Sequence, residues 1–127
     1  MIYDSGLPDD PYHRALFYLL GIFPETRSHF KELFNTDKDE INPDALHKPW
    51  QTGGTMRITR TAFNLFNGFD GSCDDRKIEP VSLYTLHQLI EPSLMECYFE
   101  ACRLRYGAHR AYEYRIYDEE MDEPEWE

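Results

Sequence analysis

The pattern of apolar and polar positions along the chain predicts four helices, over residues 11–20, 24–34, 56–67 and 92–107. The first is apolar on nearly every side, as expected for a helix in the middle of a domain. Two stretches rich in Asp, Asn, Pro and Gly predict long irregular loops, over residues 35–54 and 70–81. Loops of this length inside a small domain are often functional.

Turn and capping residues place the ends of these elements. Asp9 or Asp10 can cap the first helix, which Gly21 ends. In the first loop, Asn42 is expected to cap a short helical turn that begins at Pro43, and Trp50 is expected to anchor the loop to the core.

Few β-branched residues are available for a sheet, since Val81 is the only valine. Residues 83–90 fit either a short helix or a buried strand, and residues 111–117 fit a short strand or a helical turn. The sequence therefore predicts a mainly α fold: a single small domain of about four to five helices, with two long irregular loops and room for one short β element.

The two later helices have predicted inner and outer faces. Thr55 is expected to cap the helix over residues 56–67, and Gly68 to end it. Its apolar stripe comprises Ile58, Ala62, Leu65 and Phe66, and its opposite face Arg57, Arg60, Asn64 and Asn67. For the helix over residues 92–107, the predicted inner face is Met95, Phe99, Cys102 and Tyr106, and the outer one Glu96, Glu100 and Arg103.

Length and charge divide the chain into a helical domain, residues 1–112, and an acidic C-terminal tail, residues 113–127. The tail holds eight acidic residues against Arg115, a net charge of −7, and the other 112 residues carry −4. This balance disfavours direct nucleic-acid binding, because attraction to phosphates drives most of that affinity. The acidic residues expected to contact a partner are Asp118, Glu119, Glu120, Asp122 and Glu123.

The compartment expected from the sequence is the cytoplasm. An odd number of cysteines, three, with no CxxC pattern favours a reduced protein. The longest apolar run, residues 15–20, is far too short for a membrane span, and the first residues lack the features of a secretory signal.

The start of the helix over residues 56–67 is a candidate anion site. Backbone N–H groups at a helix start attract anions, and arginines one turn apart add directed donors. The residues in question are Gly53, Gly54, Thr55, Arg57, Arg60 and Asn64. The competing interpretation, which the sequence favours, is that the glycines only form a turn and the arginines pair with Asp37, Asp39 or Asp70. The pattern is not a P-loop, since the GK[ST] end is missing.

Other candidate chemistry is weaker. Asn35, Asp37 and Asp39 match the start of a calcium loop, but Glu40 stands where glycine is needed. Arginines and tyrosines over residues 103–115 suit single-stranded nucleic acid, although the tail follows directly. The histidines form no zinc motif, and the two bases near Cys73, Arg76 and Lys77, are opposed by two aspartates. We therefore predict no catalytic residue, no metal site and no cofactor. The sequence favours a protein that is not an enzyme.

Three segments, "ALFYLLG", "WQTGGTMRITRTAFNLFNGF" and "FEACRLRYG", resemble a family of small single-domain proteins of unknown function. The resemblance covers roughly residues 13–107. It implies an origin in anaerobic Gram-positive bacteria, their phages or mobile elements, and it implies no activity.

Two functions from different classes follow. The first is a non-catalytic accessory factor of phage or mobile-element origin that binds a basic surface of a host protein in the host cytoplasm. One form of such binding is mimicry of nucleic acid by the acidic tail. The alternative is a protein that binds a small phosphorylated molecule or nucleotide at Gly53, Gly54, Arg57 and Arg60.

Overall fold

The computed structural model describes residues 9–107, which form six α-helices and two short β-hairpins. Helices make up 63% of these residues and strands 8%, which confirms the predicted mainly α class. The α-helices are α1 (Pro11–Leu20), α2 (Pro24–Ser28), α3 (Phe30–Leu33), α4 (Gly53–Asn67), α5 (Leu86–Leu89) and α6 (Met95–Tyr106). The strands are β1 (Phe34–Asn35), β2 (Glu40–Ile41), β3 (Ser72–Cys73) and β4 (Arg76–Lys77), and short 3₁₀ helices occupy Pro43–His47, Val81–Tyr84 and Pro92–Leu94.

Helix α1 is the centre of the core, as its pattern predicts. Asp10 caps it by accepting a hydrogen bond from the His13 N–H, and Leu16, Leu19 and Leu20 are fully buried. One side of α1 packs against α4 and another against α6. Because α1 is covered by two long helices, its apolar residues are needed on several sides.

The prediction of a single helix over residues 24–34 is wrong. It is divided at His29 into α2 and α3, and Phe34 belongs to strand β1, which pairs antiparallel with β2. Phe34 lies opposite Ile41, and both are buried. Because of this pairing Phe34 lies in a strand and not in the helix, and its ring is nevertheless buried in the core. The loop expected over residues 35–54 thus contains a hairpin and a 3₁₀ turn.

Helix α4 begins earlier than predicted. Thr52, not Thr55, is its N-cap, and the two threonines form a capping box in which each side chain accepts from the other's backbone N–H. Gly53 and Gly54 are therefore the first two residues of the helix. Its predicted end is confirmed, because Gly68 adopts the left-handed conformation with φ 80°.

Residues 83–90 contain no strand. They belong to the end of a 3₁₀ turn and to α5, and the second predicted loop contains the hairpin of β3 and β4. The predicted acidic tail over residues 113–127, the segment over residues 111–117 and the end of the predicted domain beyond residue 107 lie outside the described residues.

Candidate functional site

The start of α4 presents only part of the predicted anion site. Gly53 is exposed, with open space around it, and Gly54 lies against the ring of Phe23. Thr55 is buried and its groups are already used: its N–H donates to Thr52 Oγ1, and its hydroxyl donates to Gln51 Oε1 at 2.7 Å. The backbone N–H groups of the two glycines are what the helix start offers to an anion.

Arg60 is held in an internal ion pair away from the helix start. Its Nε and Nη2 donate to the two carboxylate oxygens of Glu79 at 2.9 and 2.8 Å, and Glu79 is only 7% exposed. The hydroxyl of Tyr84 donates to the same carboxylate at 2.7 Å. Burial opposes the charge on Glu79, but the hydrogen bonds from Arg60 and Tyr84 outweigh it and lower its pKa. The acid that pairs with Arg60 is therefore none of the three aspartates considered from the sequence.

The other polar residues of α4 point to different places. Arg57 Nη1 donates to the carbonyl of Ile90 at 3.1 Å, and Asn64 Nδ2 donates to the carbonyl of Phe69 at 3.0 Å. Asn64 thereby stabilises the turn that follows α4. Arg57, Arg60 and Asn64, which share one face in projection, do not converge on a common point in the structure.

An open apolar groove lies between α5 and α6. It has a volume of about 960 Å³. Its walls include Leu86, Ile90, Met95, Phe99 and Cys102, and Arg57 also lines it. A groove of this size and lining is typical of sites that receive an apolar group.

Helix α6 turns a different face inward from the one predicted. Its buried residues are Tyr98 and Ala101, and Tyr98 is fixed by a hydrogen bond from its hydroxyl to the Leu89 carbonyl at 2.9 Å. The predicted inner face is instead accessible, with Phe99 53% and Tyr106 50% exposed. We call the residues Met95, Phe99, Cys102 and Tyr106 the α6 stripe. Across the groove from it, Leu86 is 75% exposed.

Charged side chains border the α6 stripe on one side. Helical geometry places Glu96, Glu100 and Arg103 next to one another there. Arg103 donates to Glu100 in an exposed pair, with the Nη2 to Oε1 distance at 2.9 Å. Within residues 9–107, Glu96 takes part in no ion pair, so its carboxylate is available to a partner.

A second polar cluster lies at the start of α1. The ring of His13, 5% exposed, is within 2.9 Å of Asp10 through Nδ1 and within 2.6 Å of Asp39 through Nε2. Burial disfavours the charged ring, but the hydrogen bonds and charges of Asp39 and Asp10 outweigh it and raise the pKa of His13. Asp39, a candidate calcium ligand from the sequence, thus ties the β1–β2 hairpin to α1.

We expect this cluster to make stability depend on pH. A pKa raised above the ordinary value of 6.5 gives a stabilising contribution that is complete below that value and is lost as the pH rises through the folded-state pKa. Urea unfolding followed by circular dichroism should show this decline in the wild type and a much smaller one in His13→Gln. His87→Gln, which changes an exposed histidine, is the control, and an equal decline in His13→Gln would contradict the assignment.

Groups that could support metal or nucleophilic chemistry are dispersed in the part of the chain that the structure describes. Between residues 9 and 107, no three His, Cys, Asp or Glu side chains converge as metal ligands. Cys73, Cys97 and Cys102 are free thiols. The Cys73 Sγ lies 3.9 Å from Oδ2 of Asp74, to which it donates a hydrogen bond. None of the helices in this range combines the length and the apolar content that crossing a bilayer requires.

The elements described above define a small, mainly helical domain with an apolar groove on its surface. A family model matches residues 1–118, and the chain belongs to that family, a family of unknown function (DUF6075). The predicted resemblance to an uncharacterised family is confirmed, and the match extends beyond residues 13–107. No curated protein and no solved structure matches the chain.

Proposed function

We propose that this chain is a non-catalytic protein-interaction factor. The observation that supports the proposal is the α6 stripe, which has the apolar composition and the helical spacing of a buried face and yet lies at the surface. Single exposed apolar residues are ordinary, whereas a contiguous set beside an apolar groove is typical of an interaction site.

The partner we propose is a protein with a basic surface, contacted by Asp118, Glu119, Glu120, Asp122 and Glu123. These residues lie outside the described part of the chain, and their charge supports the proposal. Clustered carboxylates favour encounter with a basic surface and suppress contact with acidic ones. The resemblance given above favours an origin in a phage or mobile element, and the clustered acidic charge favours an accessory role that includes mimicry of nucleic acid in the host cytoplasm.

The proposal is tested first at α6 through the thiol of Cys102. Full-length protein is alkylated at fixed pH, in dilute buffer and in a lysate of the cells that encode it, and the modification of each cysteine is measured by mass spectrometry of its peptide. We expect the rate at Cys102 to fall several-fold in the lysate and to be restored by Phe99→Glu. Cys73 on the β3–β4 hairpin is the internal control. An unchanged rate at Cys102 would show that this face binds no partner from the lysate.

The contribution of the acidic residues has its own test. Proteins captured by the wild type are compared with those captured when Asp118, Glu119, Glu120, Asp122 and Glu123 are replaced by their amides. A matched control carries amides at five acidic positions elsewhere: Glu25, Asp37, Glu40, Asp70 and Asp75. We expect basic partners to be lost only from the first variant. The same partners in both variants would rule out docking through these acids.

Binding of a phosphorylated small molecule is the second candidate, supported by the exposed start of α4 at Gly53. It is weakened by the pairing of Arg60 with Glu79. A thermal-shift screen against inorganic phosphate, nucleotides and sugar phosphates separates the two candidates, because a ligand that binds only the folded state raises its melting temperature. No shift with any of these anions would remove the second candidate.

A further inference from the structure

We infer that the α6 face binds a second copy of this chain, with the two α6 helices packed antiparallel. The inference rests on the proposed function, because it takes the α6 stripe to be a protein-interaction site and names what occupies it. The evidence is the spacing of the stripe and the charges beside it.

The spacing of the stripe fits a helix as the opposite surface. Met95, Phe99, Cys102 and Tyr106 follow one another at intervals of four, three and four residues. This is the repeat that forms the seam between two packed helices, in which each side chain inserts between residues of the facing helix. The stripe runs along all of α6, from Met95 to Tyr106.

An antiparallel pair gives the stripe complementary sizes. When Phe99 of one copy faces Cys102 of the second, Met95 of the first faces Tyr106 of the second. The largest side chains then lie opposite smaller or flexible ones, which is the arrangement that fills a helix interface without voids or overlap. The twofold symmetry repeats each contact.

The flanking charges select the same orientation. In the antiparallel arrangement Glu96 of one copy lies beside Arg103 of the second, and this pair occurs twice. In a parallel pair this side of one α6 would face the opposite side of the second helix, so that Glu96 and Arg103 would not meet across the seam. Because Glu96 is unpaired within residues 9–107 and the pair of Arg103 with Glu100 is exposed, both charges can take part at little cost.

The dimer is expected to be weak. Helix α6 has 12 residues, and a contact between two such helices with their neighbours is at the small end of specific interfaces. The net charge of −11 on each copy opposes association. We therefore expect a dissociation constant on the order of micromolar, so that the chain exchanges between monomer and dimer.

A charge swap tests the inference with the full-length chain. Sedimentation equilibrium measures the dissociation constant of the wild type, Glu96→Arg, Arg103→Glu and the double variant. Each single variant places two pairs of like charges across the interface and is expected to weaken the dimer about tenfold or more. The double variant restores opposite charges and is expected to return to within about threefold of the wild type. An equimolar mixture of the two single variants is expected to form heterodimers, since every flanking pair is then opposite in sign.

Lys31→Glu is the matched control for Arg103→Glu, because it changes the net charge equally at an exposed site on α3. It is expected to leave the dissociation constant within about twofold of the wild type. A wild type that is monomeric throughout the micromolar range, or a dimer that the single variants leave unchanged, would overturn the inference. Protection of Cys102 in lysate combined with a monomeric wild type would assign the face to another protein, so that the proposed function stands and this inference fails.

Discussion

Replacing Glu79 with glutamine is expected to lower the free energy of unfolding by about 3 kcal/mol, which is a large effect for one atom-for-atom change. The carboxylate of Glu79 accepts both hydrogen bonds that Arg60 donates from Nε and Nη2, and it also accepts the hydroxyl of Tyr84. Removing its charge leaves the guanidinium of Arg60 in a largely buried place without a counter-ion. The cost comes from this unpaired charge rather than from the lost attraction alone.

Chemical denaturation of a double-mutant cycle measures this effect. Arg60→Met is expected to be destabilising by a similar amount, since it leaves Glu79 charged and unpaired. The double variant Arg60→Met/Glu79→Gln is expected to cost much less than the two single changes together, with a coupling energy above about 1 kcal/mol. Additive effects of the two changes would show that the pair is not an energetic unit.

Replacing Phe34 with alanine is expected to cost about 4 kcal/mol of unfolding free energy. Its buried ring has edge contacts with the rings of Phe17 and Phe66, at centroid distances of 5.6 and 5.7 Å, and it also contacts His13 and Phe30. Alanine would leave a cavity bordered by four rings that belong to three helices, α1, α3 and α4. Because those elements are fixed by other contacts, the cavity cannot close fully.

Phe99→Ala is the control for this prediction and for the description of the α6 stripe. Its ring is half exposed, so the same deletion is expected to cost at most about 1 kcal/mol. Both variants are measured by urea denaturation at low protein concentration, where association does not contribute. A loss at Phe99 comparable to that at Phe34 would mean that the stripe belongs to the core.

These two phenylalanines show which part of the fold could be predicted from the pattern alone. Both lie in segments predicted as helices, and Phe99 was expected on the inner face of its helix. Phe34 is buried although it lies in a strand. Its backbone runs next to the core, and from that position the ring can enter the core whether the backbone is helical or extended. Phe99 is exposed although it lies in a helix, as predicted. An apolar stripe indicates that a helix face is suited to burial, but it does not indicate which element, if any, covers that face.

The candidate site shows the same division. The sequence indicated that Arg57 and Arg60 needed partners, and a surplus of acids made internal pairing the favoured expectation. It could not say which acid, because Glu79 is 19 residues from Arg60 and lies in a loop whose path depends on the packed helices. The groove beside Arg57 was missed for the same reason, since its two walls come from segments with no shared motif. The exposed apolar stripe was visible only as an apparent core face.

What the sequence by itself determined is local: the approximate positions of the first and the two later helices, a cap at Asp9 or Asp10, the stop at Gly68 and the mainly helical class. These depend on groups a few residues apart, whose geometry the backbone sets directly. What only the tertiary structure decided is which faces are covered and which charges meet, as in the contact of His13 with Asp39, 26 residues away. Such contacts depend on the packing of the whole core, and the accessible face of α6, on which the proposed function depends, is a result of that packing.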